Sequence, residues 1–168
     1  MVSETARQTT QAAETFQDAR QTHQSLVFAY VSRRIKPRED AEDVTAEVFL
    51  DAYRHWAKKR GETRLWLLGI ARRKIADAYR RRRGFWRLRP TDGQTADMFG
   101  ALVKSTESQQ ALAILFQLPP DERDALTLQV LEELSIPEIA EVLGRTYAGT
   151  NSLLQRARER VRKIAEKQ

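Results

Sequence analysis

The chain has 168 residues, no cysteine and a formal net charge of +6 at pH 7, which is length for one ordinary domain or two small ones. Without cysteine there is no disulfide framework and no thiolate metal site, and a reducing cytoplasm suits that composition. No stretch approaches the roughly 18 consecutive apolar residues of a membrane span, and MVSETARQTTQAAETFQDAR lacks the apolar centre of a signal peptide, so a soluble chain that is not exported by that route is expected.

Seven glycines, five prolines and apolar residues spaced by three and four predict an all-α chain of two small helical domains. A first helix is expected from about Gln11 to Lys36, with Phe16, Leu26, Val27, Tyr30, Val31 and Ile35 on its apolar face and Pro37 ending it. A second starts near Asp40 as N-cap and runs to about Ala57, carrying Val44, Val48, Phe49, Ala52, Tyr53 and Trp56 on one stripe and acids on the other. Gly61 breaks the pattern. A third helix follows from about Glu62 to Arg83, with Leu65, Leu68, Ala71, Ile75 and Tyr79 toward a core and Trp66, Leu67 and Ile70 widening that face.

From Gly84 to about Ser105, three glycines, Pro90 and polar residues without a period predict a flexible linker, so the domains are expected at 11–83 and 106–168. The second half resumes with a helix through Ala111, Leu112, Leu115 and Phe116, stopped by Leu118-Pro119-Pro120, and another from Asp121 to about Glu133. Ser135 caps a helix from Ile136 to Leu143 with Pro137 in its first turn, and Gly144 makes the turn into a last helix from about Tyr147 to the end. On that helix Thr150, Leu154, Ala157, Val161 and Ile164 share one side and Asn151, Gln155, Arg158 and Arg162 the other. A short helix, a glycine turn and a longer basic helix is the layout of a helix-turn-helix.

Charge is segregated along the chain. Residues 37–53 carry one base and six acids, 54–90 carry 14 bases and two acids, 91–143 carry two bases and 10 acids, and 144–168 carry seven bases and two acids. The basic blocks suit a polyanion such as DNA, and the acidic ones need another partner. The segment from Arg54 to Arg83 interleaves cations with His55, Trp56 and Trp66, the mixture that tracks phosphates while receiving unstacked bases. Trp56 reads as core, and Trp66 as either core or stacking platform. In the last helix Tyr147, Ala148, Gly149, Asn151, Ser152 and Gln155 stand where base edges would be read, and Arg145, Arg156, Arg158 and Arg160 where the backbone lies. Enzymatic chemistry has little footing, with two histidines, no phosphate-cradling glycine loop and no helical metal motif. No metal site and no cofactor are expected.

DAEDVTAEVFLDAYRHW followed by RGETRLWLLGIARRKIADAYRRRR resembles the second conserved region of extracytoplasmic-function (ECF) sigma factors of bacterial RNA polymerase. LPPDERDALTLQVLEELSIPEIAEVLGRTYAGTNSLLQRARERVRK resembles their fourth region, so the likeness covers about residues 20 to 165. It implies a cytoplasmic, non-enzymatic polymerase subunit that directs promoter-specific transcription initiation. Asp40, Glu42, Asp43 and Glu47 match the family's clamp-contact helix. Lys58, Lys59, Arg60, Gly61, Glu62 and Thr63 match the loop that captures a flipped base of the minus-ten element, with Arg64, Trp66, Arg72, Arg73 and Lys74 alongside. Arg145, Thr146, Tyr147, Ala148, Gly149, Asn151, Ser152, Gln155, Arg156 and Arg158 fall in the reader of duplex minus-thirty-five DNA.

The implied partners are the clamp and flap of core polymerase, single-stranded and duplex promoter DNA, and an anti-sigma factor covering these faces. Ala46 departs from the family's usual glutamine, and Gly149, Thr150 and Asn151 from its usual threonine, aliphatic residue and lysine. Glycine at 149 costs about 1 kcal/mol against alanine in a helix. The other class to weigh is a conventional helix-turn-helix repressor or activator, which accounts for the second half alone. A basic peripheral membrane protein fits poorly, because Arg80 to Arg83 has too few apolar neighbours to insert.

Overall fold

The computed structural model describes residues 14–86, 110–111, 113–115 and 117–167, the side chains of 82–86 excepted. All regular structure among them is helical, as the spacing of apolar residues predicts. Gln11, Leu112, Phe116 and most of the expected linker lie outside the described residues.

Helix α1 spans Phe16–Ser32. Thr15, not Gln11, begins it: its backbone is extended, its Oγ1 accepts the Asp18 amide at 3.2 Å, and its own amide donates to the Asp18 carboxylate at 3.1 Å. The helix stops at Ser32, short of Lys36, as the Arg34 amide tightens onto the Val31 carbonyl at 2.9 Å, an acceptor it shares with the Ile35 amide, and Ile35 is buried in the core. Helix α2, Arg38–His55, starts directly behind Pro37. Asp40 is therefore not the cap but a first-turn residue, beside Glu39, where carboxylates face amides that have no helical partner. A single 3-10 turn, Trp56–Lys58, and Gly61 at φ 72° lead into α3, Thr63–Trp86, three residues longer than its expected end at Arg83.

Helix α3 is the centre of the molecule. Leu65, Leu68, Ala71, Ile75 and Ala78 are buried, and so are Leu67 and Ile70. Apolar residues this far round a helix need partners on two sides. The first half supplies one through α1 and α2; the second half supplies the other, and a Cβ on Gly69 would lie 3.6 Å from the Val142 carbonyl oxygen.

In the second half α4 spans Pro120–Val130, α5 spans Ile136–Leu143 and α6 spans Tyr147–Ala165. Helix α4 ends before the expected Glu133, because Glu133 adopts φ 54° and brings the Leu134 amide back to the Leu128 carbonyl at 3.1 Å. Helix α5 has the expected bounds. The Ser135 amide donates to Glu138 Oε2 at 2.7 Å, and the bonds from Ser135 hold the Glu138 carboxyl below its ordinary value. Gly144 closes α5 in the left-handed region at φ 63°. Thr146 caps α6 by accepting the Gly149 amide at 3.1 Å. One apolar cluster joins the two halves, running from Val27 and Leu68 to Leu128, Ile139 and Leu154. Among the described residues no helix is long and apolar enough to cross a membrane.

Candidate nucleic-acid interface

The helix-turn-helix is built by α5, the Gly144 turn and α6. Thr150, Leu153, Leu154 and Ala157 seat α6, which leaves Tyr147, Ala148, Ser152, Gln155, Arg156 and Arg158 exposed on its outer side and Asn151 half-buried at the edge. Thr146 serves as the cap. Gly149 is explained by the same cap, since a Cβ there would sit 3.1 Å from Thr146 Oγ1, tighter than ordinary contact. Arg145 pairs with Asp121, and Arg158 donates to Gln129 at 2.8 Å. Arg160, expected on the DNA backbone, instead holds the buried Glu122 carboxylate at 2.9 Å, so its guanidinium stabilises the α4–α6 contact.

In the first half the turn before α3 presents Lys58, Arg60, Gly61 and Glu62 to solvent. Lys59 is half-buried, 5.1 Å from the Trp56 ring centroid, with its ammonium 2.5 Å from Thr63 Oγ1 and 3.6 Å from Glu14. Thr63 is buried. Trp66 is half-buried and packs edge-on against Trp56 at 5.9 Å, and it also lines a groove of about 370 Å³. Arg60, Arg72, Arg73, Glu141 and Leu143 line that groove as well. Arg73 is exposed, Lys74 lies 3.7 Å from Asp51, and Arg72 and Arg64 are turned toward the second half.

The acidic face of α2 is a separate surface. Glu42 and Asp43 are exposed, Asp40 and Glu47 half-buried; Glu42 accepts from Arg38 at 2.7 Å and Glu47 from Arg81 at 3.1 Å. Beside them a groove of about 710 Å³ runs between α1 and α2, floored by Phe28, Ala46 and Phe49. Tyr53, expected on the buried stripe of α2, is 64% exposed and touches Phe16 edge-on at 5.1 Å; Leu50 is 50% exposed. The stripe ends at Ala52, and Tyr53 lies on its rim. Leu50, to which the sequence assigned no role, is an apolar side chain on the acidic face one turn beyond Ala46. Among the described residues no cluster of His, Asp or Glu could hold a metal ion.

The chain matches Sigma-70 region 2 over residues 19–85 and Sigma-70, region 4 over residues 108–161. It is 30% identical over 163 residues to the RNA polymerase sigma-H factor of Pseudomonas aeruginosa, covering 86% of this chain and 82% of that one. It is 29% identical over 145 residues to the ECF RNA polymerase sigma factor BldN of Streptomyces coelicolor, covering 80% of this chain and 54% of BldN. The chain belongs to the ECF sigma factors. Its fold is also that of a sigma factor RpoE, solved in complex with the anti-sigma factor NepR from Bartonella quintana, with a TM-score of 0.65 at 18% identity over 90% of this chain and 96% of that one.

As a sigma factor the chain directs promoter-specific initiation by RNA polymerase. Both matched regions carry one of the basic surfaces described above. The acidic α2 face lies inside the first match, and the helix-turn-helix inside the second. Arg33, which sequence patterns did not single out, pairs with Glu132 where the halves touch.

Proposed function

We propose that Asp40, Glu42, Asp43 and Glu47 of α2, with the apolar notch of Ala46, Leu50 and Tyr53 beside them, dock on the clamp of core polymerase. Small Ala46 deepens that notch and Leu50 offers an apolar knob, which fits a helical partner better than a flat one. The turn Lys58–Thr63 with Arg64, Trp66, Arg72, Arg73 and Lys74 captures the unpaired minus-ten strand. The second half meets the flap and reads duplex minus-thirty-five DNA through Arg145 to Gln155, with Arg156 and Arg158 toward phosphates. The functional units are then residues 11–83, extended through the end of α3, and 106–168.

The observation that most supports this assignment is the immediate succession of an acidic helix face with an apolar notch and a basic, tryptophan-lined turn on one rigid scaffold. No bond is made or broken by the sigma factor. Opened promoter is stabilised because its single strand binds the α3 surface better than the duplex does, and the strand captured is one already unpaired or flipped out. A soluble, cytoplasmic, non-enzymatic role follows, with an anti-sigma factor as the natural partner to mask these faces.

The test is run-off transcription with core polymerase, this chain and a promoter library, against Asp40→Arg/Asp43→Arg/Glu47→Arg. Promoter-specific transcripts that vanish in the variant, with its helicity and melting temperature retained, are the expected result. Duplex binding that is equal with and without polymerase, and no transcript from the unmodified chain, would sink the proposal in favour of a conventional repressor or activator.

A further inference from the structure

We infer that the second half of the free sigma factor is a latch over the minus-ten surface of the first, held by carboxylates that occupy the guanidinium groups a DNA backbone would use. The inference rests on the assignment of the α3 surface to the minus-ten strand. Arg72 gives Nε to Asp124 at 2.8 Å and Nη2 to Asp121 at 3.2 Å, both acids coming from the start of α4. Arg64 donates to the Glu132 carbonyl at 3.1 Å, and Arg33 pairs with the Glu132 carboxylate. Glu141 of α5 stands over the turn before α3 so closely that a Cβ on Gly61 would collide with its Oε1. Thus three segments of the acidic block 91–143 lie against the first half: the start of α4 pairs with Arg72, Glu132 meets Arg33 and Arg64, and Glu141 stands beside Gly61. Carboxylate and phosphate oxygens satisfy the same forked donor, so the two are competitors for Arg72.

The geometry also makes the closed state reversible. Arg64 Nε is buried without a hydrogen-bond partner among the described residues, so closure leaves a donor dry and unsatisfied. Asp121 and Asp124 keep 46% and 29% of their side-chain surface in water, where ion pairs are weak and screened by salt. The Val142 carbonyl packs against α3 at Gly69, but the groove beside it remains open. A contact that joins an apolar seam to exposed, incompletely paired ions separates when a ligand prefers the parted state strongly enough. Single-stranded promoter DNA is such a ligand, because Glu141 and the phosphates cannot share the turn before α3.

The chain has no cysteine, so Thr22→Cys/Ala165→Cys accepts a donor and an acceptor dye at two exposed helical positions, one on each half. Energy transfer in the free full-length chain should fall between roughly 0.05 and 1 M salt. At low salt it should already be low in Asp121→Asn/Asp124→Asn/Glu132→Gln, which should also bind a fluorescent single-stranded minus-ten oligonucleotide about tenfold more tightly. Glu132 is largely buried, so Asp121→Asn/Asp124→Asn repeats the measurement without touching it, and the salt titration needs no charge variant. Transfer that is insensitive to salt and equal in all variants overturns the latch, as does opening without any gain in oligonucleotide affinity. Run-off transcription by the same variants separates the two ideas: transcripts that persist in holoenzyme keep the minus-ten assignment while the latch alone fails.

Discussion

The hydroxyl of Tyr79 donates to the Arg34 carbonyl, and burial between helices pushes the phenols of Tyr30 and Tyr79 up to about 12. In the unfolded chain both release their protons near pH 10. Between about 10 and 12 the native state therefore holds more protons than the unfolded one, and stability falls with rising pH by about 1.4 kcal/mol per unit for each tyrosine. Urea denaturation across roughly pH 9 to 11 should show this decline, with a shallower slope in Tyr30→Phe; an unchanged slope would refute the assignment. At the other end of the chain Thr146→Ala removes the acceptor of the Gly149 amide. A loss of about 1 kcal/mol is expected in denaturation, and duplex binding should weaken as the first turn of α6 frays.

Helix α5 was legible in the sequence to the residue and α6 at its start, because Ser135, Pro137 and Gly144 are local signals whose chemistry acts within one turn; α6, expected to run to the end, stops at Ala165. The ends of α1 and α4 were not. Both are set by backbone bonds made at or after the helix end: Arg34 tightening onto Val31 and Leu134 turning back onto Leu128. Asp40 resembled a cap by residue type, yet Pro37 already supplies the extended residue ahead of α2. The two basic surfaces were legible as composition, whereas the engagement of Arg64 and Arg72 by Glu132, Asp121 and Asp124 joins residues 49 to 68 positions apart and has no local signature. The notch on α2 belongs to this same class, since it needs α1 to form its other wall. Leu50→Asp should cut affinity for core polymerase about tenfold in a fluorescence titration while leaving the melting temperature within a degree or two, because an exposed side chain changes an interface more than a fold; affinity equal to the unmodified chain would remove Leu50 from that surface.

At the scale of the molecule, salt acts on promoter binding in two opposed ways. It weakens phosphate contacts through the loss of counterion release, and it screens the ion pairs that keep the halves together. For the free chain, a plot of log affinity for single-stranded DNA against log salt should therefore curve, flat at low salt and steep above, instead of following one line. Asp121→Asn/Asp124→Asn should straighten it. A straight line of equal slope for both chains would mean that the halves do not respond to salt in that range.

Helix α3 being buried on both sides has a thermal consequence. Parting the halves wets Val142, Leu143 and the side chains of α3 that face them, and hydrating apolar surface raises the heat capacity. The free energy of opening is then a curve in temperature with a maximum, so closure is firmest at an intermediate temperature and slackens on both cooling and warming. Energy transfer between the two labelled halves would trace that arch, and the free sigma factor would offer its minus-ten surface more readily in the cold and in the heat than between them.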